Sequence, residues 1–252
     1  ILSQYEFRIN IISNELEYRL RGSSSLWKEL IEFDLECELY ECGMKSGIDK
    51  PMMAILKSSL YVPKFNPIKS YFETLPNWND TQPDYIEQLA NYVNAKDQVW
   101  FNYQFKKMLV RTAACVLNIV KFNKQCFTLL GAQNDGKTSF LRFICPPELK
   151  EYYKENIDIT TKDGQISLCQ NMFINFEELD ALNKKELNKI KAMFTVEKVK
   201  VRPPYERRER NFPRTCNFLA SSNRKEILTD ETGNVRWLVF EINGINHDNG
   251  GR

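Results

Sequence analysis

The chain is poor in the residues that build metal centres. It has one histidine among 252 residues, and its seven cysteines form no Cys-x-x-Cys pair. A zinc site of Cys/His ligands is therefore excluded, and the odd thiol count does not read as a disulfide framework. Cys37 and Cys42 are the closest two. Reduced, buried thiols of a cytoplasmic protein are the expectation. Long apolar runs are also missing. The best stretch, Leu109 to Val120, is interrupted by Arg111 and Asn118, well short of the roughly 20 residues a spanning helix needs. The opening residues do not read as a secretory leader, and no internal repeat or low-complexity tract is seen. Charge of either sign is not in excess: 35 basic residues face 33 acidic ones, a net charge of +2. A nucleic-acid footprint must then be local. What is present, 42% hydrophobic and 27% charged residues, is ordinary globular composition. The length allows one large domain, or a medium one with a small one. The first residue is Ile and the last four are Asn-Gly-Gly-Arg, which reads as a fragment of a longer protein.

Residues 5–20 nearly alternate apolar and polar on both sides of Ser13-Asn14 and predict a β-hairpin. From Leu26 to Met44 the positions Leu30, Ile31, Leu35 and Leu39 recur at helical spacing, in a helix that is otherwise acidic. Its acids read as a solvated face or as an interaction site. Pro51 opens a second short helix, and the whole suggests a winged-helix-like module over 1–62. Residues 63–83, rich in Pro, Asn and aromatics, read as a linker or irregular segment. Helices are expected from Asp84 through Val93 and from about Gln98 to Ile119. The aromatics of the second (Trp100, Phe101, Tyr103, Phe105) fit a core face better than a base-stacking platform.

Chemistry enters at Gln125. Cys126-Phe127-Thr128-Leu129-Leu130 suits a buried strand. It runs into Gly131-Ala132-Gln133-Asn134-Asp135-Gly136-Lys137-Thr138, and Ser139-Phe140-Leu141-Arg142-Phe143 continues as a helix. This is Gly-x4-Gly-Lys-Thr between a strand and a helix. Glycines let backbone N–H groups curl round a β-phosphate, and a helix N-terminus favours the same anion. Lys137 would bridge the β- and γ-phosphates, and the Thr138 hydroxyl would sit on Mg²⁺. Gly131, Gln133, Asn134, Asp135, Gly136, Lys137, Thr138 and Ser139 are the expected nucleotide-binding residues. The bland alternative is a glycine-rich turn with a solvated lysine.

Forty positions after Lys137, the run Met172-Phe173-Ile174-Asn175-Phe176 ends in Glu177-Glu178. Glu177 is expected to hold Mg²⁺ and Glu178 to polarise the attacking water; the alternative is a pair of helix N-terminal acids. Cys216 to Ala220 is another buried strand, ending in Ser221-Ser222-Asn223. Between the two lies a basic stretch, 196–214, with a net charge of +4. Its residues Lys198, Lys200, Arg202, Arg207 and Arg208 suit phosphate-backbone contacts, and Tyr205 adds a stacking face; an ordinary solvated hairpin is the alternative. Arg236 lies just after Thr229-Asp230-Glu231-Thr232-Gly233-Asn234, within a strand-like Val235 to Ile242. It could neutralise a transferring phosphate across a subunit boundary, with Arg214 as the competing candidate. A plain salt bridge serves either arginine equally well.

The chain resembles the virulence-associated E (VapE-like) family of mobile-element ATPases, close to superfamily 3 helicases and often fused to primase modules. The resemblance rests on Asn66-Pro67-Ile68, Leu75-Pro76-Asn77-Trp78-Asn79-Asp80, Cys145-Pro146-Pro147-Glu148-Leu149, Ile174-Asn175-Phe176-Glu177-Glu178-Leu179, Val201-Arg202-Pro203-Pro204-Tyr205, Pro213-Arg214, Ser222-Asn223 and Leu228-Thr229-Asp230-Glu231-Thr232-Gly233. This chain has Glu177-Glu178 where the family has Asp-Glu, Asn79-Asp80 where it has Asp-Gly, and Val235-Arg236 where it has Arg-Arg. In AAA+-like ATPases an Asn at the end of a strand such as 216–222 orients the lytic water, and Asn223 is similar.

The resemblance implies an α/β fold. It would be a P-loop NTPase core of AAA+-like, superfamily 3 helicase type over 121–252, cut short before a lid. A helical segment over 63–120 and a small N-terminal α+β module would precede it. It further implies an ATP- and Mg²⁺-dependent DNA helicase or translocase of a phage or mobile element, acting on single-stranded or forked DNA. A ring-shaped homo-oligomer is implied for the full-length protein, with a primase module as a further partner and a bacterial or phage-encoded cytoplasmic setting. Lys137, Glu178, Asn223 and Arg236 would be its catalytic set, and Thr138 and Glu177 its metal ligands. The alternative is a non-motor, ATP-gated nucleic-acid-binding switch or initiator. The Asn223 strand and the basic stretch argue against a third reading, a small-molecule P-loop kinase.

Overall fold

A computed structural model of the chain describes residues 4–41, 43, 50–58, 60–158, 160–202, 208–224 and 236–246, apart from the side chains of Glu32, Lys50 and Pro51. Residues 1–73 and 74–252 form two compact units.

The first unit opens with the expected hairpin. Strand β1 (Tyr5–Asn10) pairs antiparallel with β2 (Glu15–Leu20), from Tyr5 opposite Leu20 to Asn10 opposite Glu15. Asn14 takes the left-handed conformation that the turn demands (φ 64°), and Asn10 Oδ1 accepts the N–H groups of Ile12 and Ser13. Alternation sorts the faces. Phe7, Ile9 and Leu16 pack toward a small core with Leu35, Leu39, Leu56 and Val62. On the other face Arg8 pairs with Glu17 directly opposite, and Arg19 with Glu6.

The acidic helix starts later than its periodicity suggests, because β2 still has a free edge. Lys28–Glu29 (β3) pair with it, and Leu30 N–H donates to Leu16 O at 2.7 Å. Helix α1 is therefore Glu32–Glu41, with Leu35 and Leu39 fully buried. Helix α2 (Lys50–Leu56) follows. The presumed linker is in part ordered: β4 (Lys64–Phe65) runs parallel to β1, giving the order β3-β2-β1-β4, and α3 spans Pro67–Thr74. Asn66 Oδ1 accepts Lys69 N–H at 3.0 Å, so an N-cap Asn is followed by Pro at the first helical position.

The second unit begins with α4 (Tyr85–Ala90), capped by Asp84. The helix stops before Val93 because Val93–Ala95 form an edge strand, β5. Helix α5 (Gln98–Val116) is capped by Asp97. Then come β6 (Cys126–Leu130), α6 (Lys137–Phe143), β7 (Tyr153–Glu155), α7 (Lys162–Gln170), β8 (Phe173–Phe176), α8 (Lys184–Met193), the hairpin β9 (Lys198–Val201) and β10 (Arg210–Pro213), β11 (Asn217–Ser222) and β12 (Trp237–Ile245).

The main sheet has the order β5-β12-β6-β11-β8-β7, parallel throughout except for β5. Strands β6, β8 and β11 are buried along their whole length, as parallel strands covered on both faces must be. On one face Phe101 and Phe105 of α5 pack against Phe127 and Phe240, with ring centroids 5.3–5.9 Å apart. On the other, Phe176, Phe218 and Trp237 meet Phe194 and α7, α8 and β9 residues in a second cluster. The result is a mixed α/β unit of three layers. Strand β11 lies between β6 and β8, so the ends of all three strands open on the same edge.

Candidate functional site

The chain leaves β6 at Leu130 and turns immediately. A Cβ on Gly131 would lie 2.6 Å from Asp135 Oδ2, 2.9 Å from Ile242 Cγ1 and 3.2 Å from Ile242 O, so only glycine lets the loop turn this close to β12. Asn134 (φ 70°) and Gly136 (φ 78°) take left-handed conformations, which these two residue types tolerate best. No side chain caps α6, so the first amides of the helix are left to another acceptor.

Lys137 is 7% exposed. Its ammonium donates to Gly131 O (2.9 Å), Ala132 O (2.5 Å) and Asn223 Oδ1 (3.0 Å). Three protons thus meet three acceptors. Burial pulls its pKa down, and the charges of Asp135 and Asp180 pull it back up.

Lys137 sits in a polar cleft of about 440 Å³ lined by residues 133–139, Glu178, Asp180, Ser221, Ser222 and Asn223. Glu178 stands just past β8 with φ 50° and ψ 48°. The left-handed kink breaks strand alternation and separates it from its neighbour. Glu177 does not line the cleft. It lies on the other side of the strand end, where Arg142 Nη2 donates to it at 3.2 Å. Arg142 also clasps Glu155 with two hydrogen bonds, of 2.5 and 2.8 Å. This bond lowers the Glu155 pKa, whereas burial, then the Glu155 charge, raise that of Glu177. The structure thus brings Glu178 but not Glu177, the expected metal ligand, into the cleft, and an arginine outside it meets the Glu177 carboxylate.

Asp180 is the residue the sequence reading missed. It lies in the 3-10 turn Leu179–Ala181. Its Oδ1 accepts the Asn223 backbone N–H at 3.3 Å and its Oδ2 accepts Asn223 Nδ2 at 3.4 Å. The signal for it was the Glu-Leu-Asp spacing, in which a buried Leu179 turns the acids on either side toward the same cleft.

Both arginine candidates lie away from this cleft. Arg236 N-terminally precedes β12, and its carbonyl accepts Cys126 N–H at 2.8 Å. That is the opposite sheet edge, roughly 16 Å from Gly131 at about 3.3 Å per strand residue. Arg214 is 1% exposed. It donates to Asn123 O (2.6 Å) and Phe194 O (3.4 Å) and lies 5.1 and 4.9 Å from the ring centroids of Phe122 and Phe218. A guanidinium held in the core does not reach a neighbouring subunit, so Arg214 is corrected from finger to structural residue.

In the basic stretch, β9 and β10 pair antiparallel. Val199 and Val201 face the core, and Lys198 and Lys200 are exposed. Arg202 and Arg208 are exposed as well, and Lys200 meets Glu209 at 3.4 Å. Tyr205 and Arg207 lie outside the described residues, as does the Leu228-Thr229-Asp230-Glu231-Thr232-Gly233 motif. The α5 aromatics divide: Phe101 and Phe105 are core, whereas Trp100 and Tyr103 are exposed and stacked on each other at 6.0 Å.

Of the described cysteines all are free. Cys115, Cys126, Cys145 and Cys216 are buried and Cys37 is exposed. Burial pushes the Cys145 thiol up to about 11 and those of Cys169 and Cys216 to about 12. Among the described residues no group of three or more His, Cys, Asp or Glu side chains is placed to hold a metal ion. No described helix is long and apolar enough to cross a membrane.

Comparison with solved structures shows the same fold in "The apo structure of NrS-1 C terminal region (305-718)", with a TM-score of 0.59 at 16% identity. The likeness extends to "The A form apo structure of NrS-1 C terminal region-CTR", with a TM-score of 0.55 at 14% identity. In each case 96% of this chain is covered, and it spans 60% of the length of the other. Comparison with curated proteins finds no match. The model of the virulence-associated protein E-like domain matches residues 72–250, well over half of the chain, and the chain belongs to that family.

Proposed function

We propose that the chain is a Mg²⁺-dependent P-loop ATPase of phage or mobile-element nucleic-acid metabolism, working as a helicase or translocase on single-stranded or forked DNA. The observation that carries this reading is the convergence on one cleft of Lys137, from the glycine-bracketed loop after β6, with Glu178 after β8 and Asn223 after β11. The β11 strand between the other two sets the Asn beside the lysine.

The cleft suits a polyphosphate. Its walls are polar, its loop tolerates no side chain at Gly131, and its lysine is buried but still compensated by protein carbonyls that a phosphate can replace. Mg²⁺ also fits: the Thr138 hydroxyl lines the cleft and with the phosphates themselves would supply hard oxygens, and this ion keeps several waters and takes few protein ligands. When bound, it neutralises charge on the phosphates.

Lys137 transfers its hydrogen bonds from Gly131 O and Ala132 O to the β- and γ-phosphate oxygens, stabilising the charge that develops during transfer. Glu178 accepts a hydrogen bond from the attacking water and polarises it. Asn223 Oδ1, released by Lys137, orients that water. The exposed Lys198, Lys200, Arg202 and Arg208 track the DNA backbone.

The test is ATP hydrolysis with Mg²⁺, with and without single-stranded DNA, in the wild type and Lys137→Ala. DNA-stimulated hydrolysis that the substitution abolishes supports the motor reading. ATP binding without hydrolysis favours the ATP-gated switch. Absence of ATP binding in the wild type refutes both.

A further inference from the structure

We propose that Asp180 is a positioning residue of this site: it clamps Asn223 by both of its N–H groups and so aims Asn223 Oδ1 at Lys137 and the phosphate cleft. This rests on the reading of the cleft as an ATP site.

A primary amide has two chemically opposite ends of nearly equal shape, and a half-turn about the last side-chain bond exchanges them. Asn223 stands between two charged groups that each accept only one end. The Lys137 ammonium has only donors, and the ionised Asp180 carboxylate has only acceptors. Lys137 Nζ therefore takes Oδ1, at 3.0 Å, and Asp180 Oδ2 takes Nδ2, at 3.4 Å. Asp180 Oδ1 also holds the Asn223 backbone N–H, at 3.3 Å. One carboxylate thus fixes both the strand end and the rotation of the amide.

Asp180 is itself held. It is the middle residue of a 3-10 turn whose first residue, Leu179, is fully buried, and Ala181 N–H and Leu182 N–H close the turn onto Glu178 O and Leu179 O at 2.9 and 3.1 Å. The clamp matters most once ATP is bound. Lys137 then turns to the phosphates, and Asp180 alone keeps the Asn223 carbonyl end toward the reacting water. Without it the Nδ2 end presents a donor where an acceptor is needed. Asp180 acts through Asn223 and not on the substrate.

The test is a cycle of Asp180→Asn, Asn223→Ala and the double variant in the full chain, reading kcat and KM for ATP hydrolysis, affinity for a non-hydrolysable ATP analogue, and the thermal midpoint. Asp180→Asn sets one Nδ2 against the other. Losing an aimed, charge-assisted hydrogen bond lowers kcat by roughly tenfold or more, with KM and analogue affinity within about twofold. In the Asn223→Ala background the same change has no further effect. If Asp180→Asn fails to fold, Asp180→Ser, too short to reach either donor, is read in its place. Effects that add, an unchanged kcat, or a loss of analogue binding overturns the clamp while leaving the ATP site standing. A wild type that binds no ATP overturns the ATP site itself, and the clamp with it.

Discussion

Gly131→Ala tests the loop most directly, because the cost is one of volume alone. The added methyl would lie 2.6 Å from Asp135 Oδ2, 2.9 Å from Ile242 Cγ1 and 3.2 Å from Ile242 O. Asp135 is a half-buried loop residue whose flexible carboxylate can swing away. Ile242 cannot, since it is 5% exposed within β12, so the loop has to lift off the sheet or the strand has to shift. Overpacking of this kind costs about 1–3 kcal/mol, which in a unit of this size lowers Tm by about 2–4 °C per kcal/mol. The assay is thermal unfolding, paired with binding of a non-hydrolysable ATP analogue, which should weaken as the amides of residues 132–137 move. Trimming the obstacle supplies the internal control. Ile242→Ala by itself should cost about 2–5 kcal/mol as a cavity, yet in combination with Gly131→Ala the loss should be smaller than the sum. Gly136→Ala, strained by its φ of 78° at about 1–2 kcal/mol, should show no such relief. A Gly131→Ala protein with unchanged Tm, or strict additivity with Ile242→Ala, would refute the steric account.

Three further outcomes follow from the same structure. Arg214→Met should lower stability in urea by about 2–4 kcal/mol, because Asn123 O and Phe194 O lose their buried donor; a variant of full stability that loses only hydrolysis would put this arginine back at a subunit boundary. Asp84 caps α4 and pairs with Lys106, and the Lys106 hydrogen bond, then the Glu87 amide, hold its pKa below the usual carboxylate value. Its contribution is thus full above the unfolded-state pKa and lost as pH falls through the lowered folded-state value. Asp84→Ala should cost about 1 kcal/mol near neutrality, a gap that should close on acidification in urea melts recorded from pH 6 to pH 2. Lys198→Ala and Lys200→Ala should each weaken single-stranded DNA binding and flatten the salt dependence by about 0.7 per contact; an unchanged salt slope would remove β9 from the DNA path.

Some of the fold and much of the cleft were legible along the chain. The 5–20 hairpin follows from period-two alternation around Asn14, and the buried strands at 126–130, 173–176 and 217–222 from short apolar runs bounded by polar turns. The loop at 131–137 was readable because its glycines serve the backbone locally. The ordered segment at 64–74 was also readable, since Asn66-Pro67 is a helix start; the density of Pro and Asn around it masked that signal. Where helices meet strands, local periodicity was overridden. Helix α1 begins at Glu32 and not at Leu26 because an open strand edge captured residues 28–30, and α4 stops at Ala90 because β12 captured 93–95.

The sequence by itself determined the local patterns and their order: a glycine-bracketed lysine, an acidic strand end, an Asn strand end and a basic stretch. Each is a local pattern, set by backbone conformation or by a run of side chains of one kind. Only the tertiary structure decided which of them share a cleft. It inserted β11 between β6 and β8, and so set Asn223 between Lys137 and Asp180. A single left-handed residue at 178 divided two adjacent glutamates, one to the cleft and one to Arg142. The layers closed over Arg214 and left Lys198 and Lys200 outside. Such assignments depend on which strand lies beside which and which face is covered, and these are relations between residues far apart in the chain.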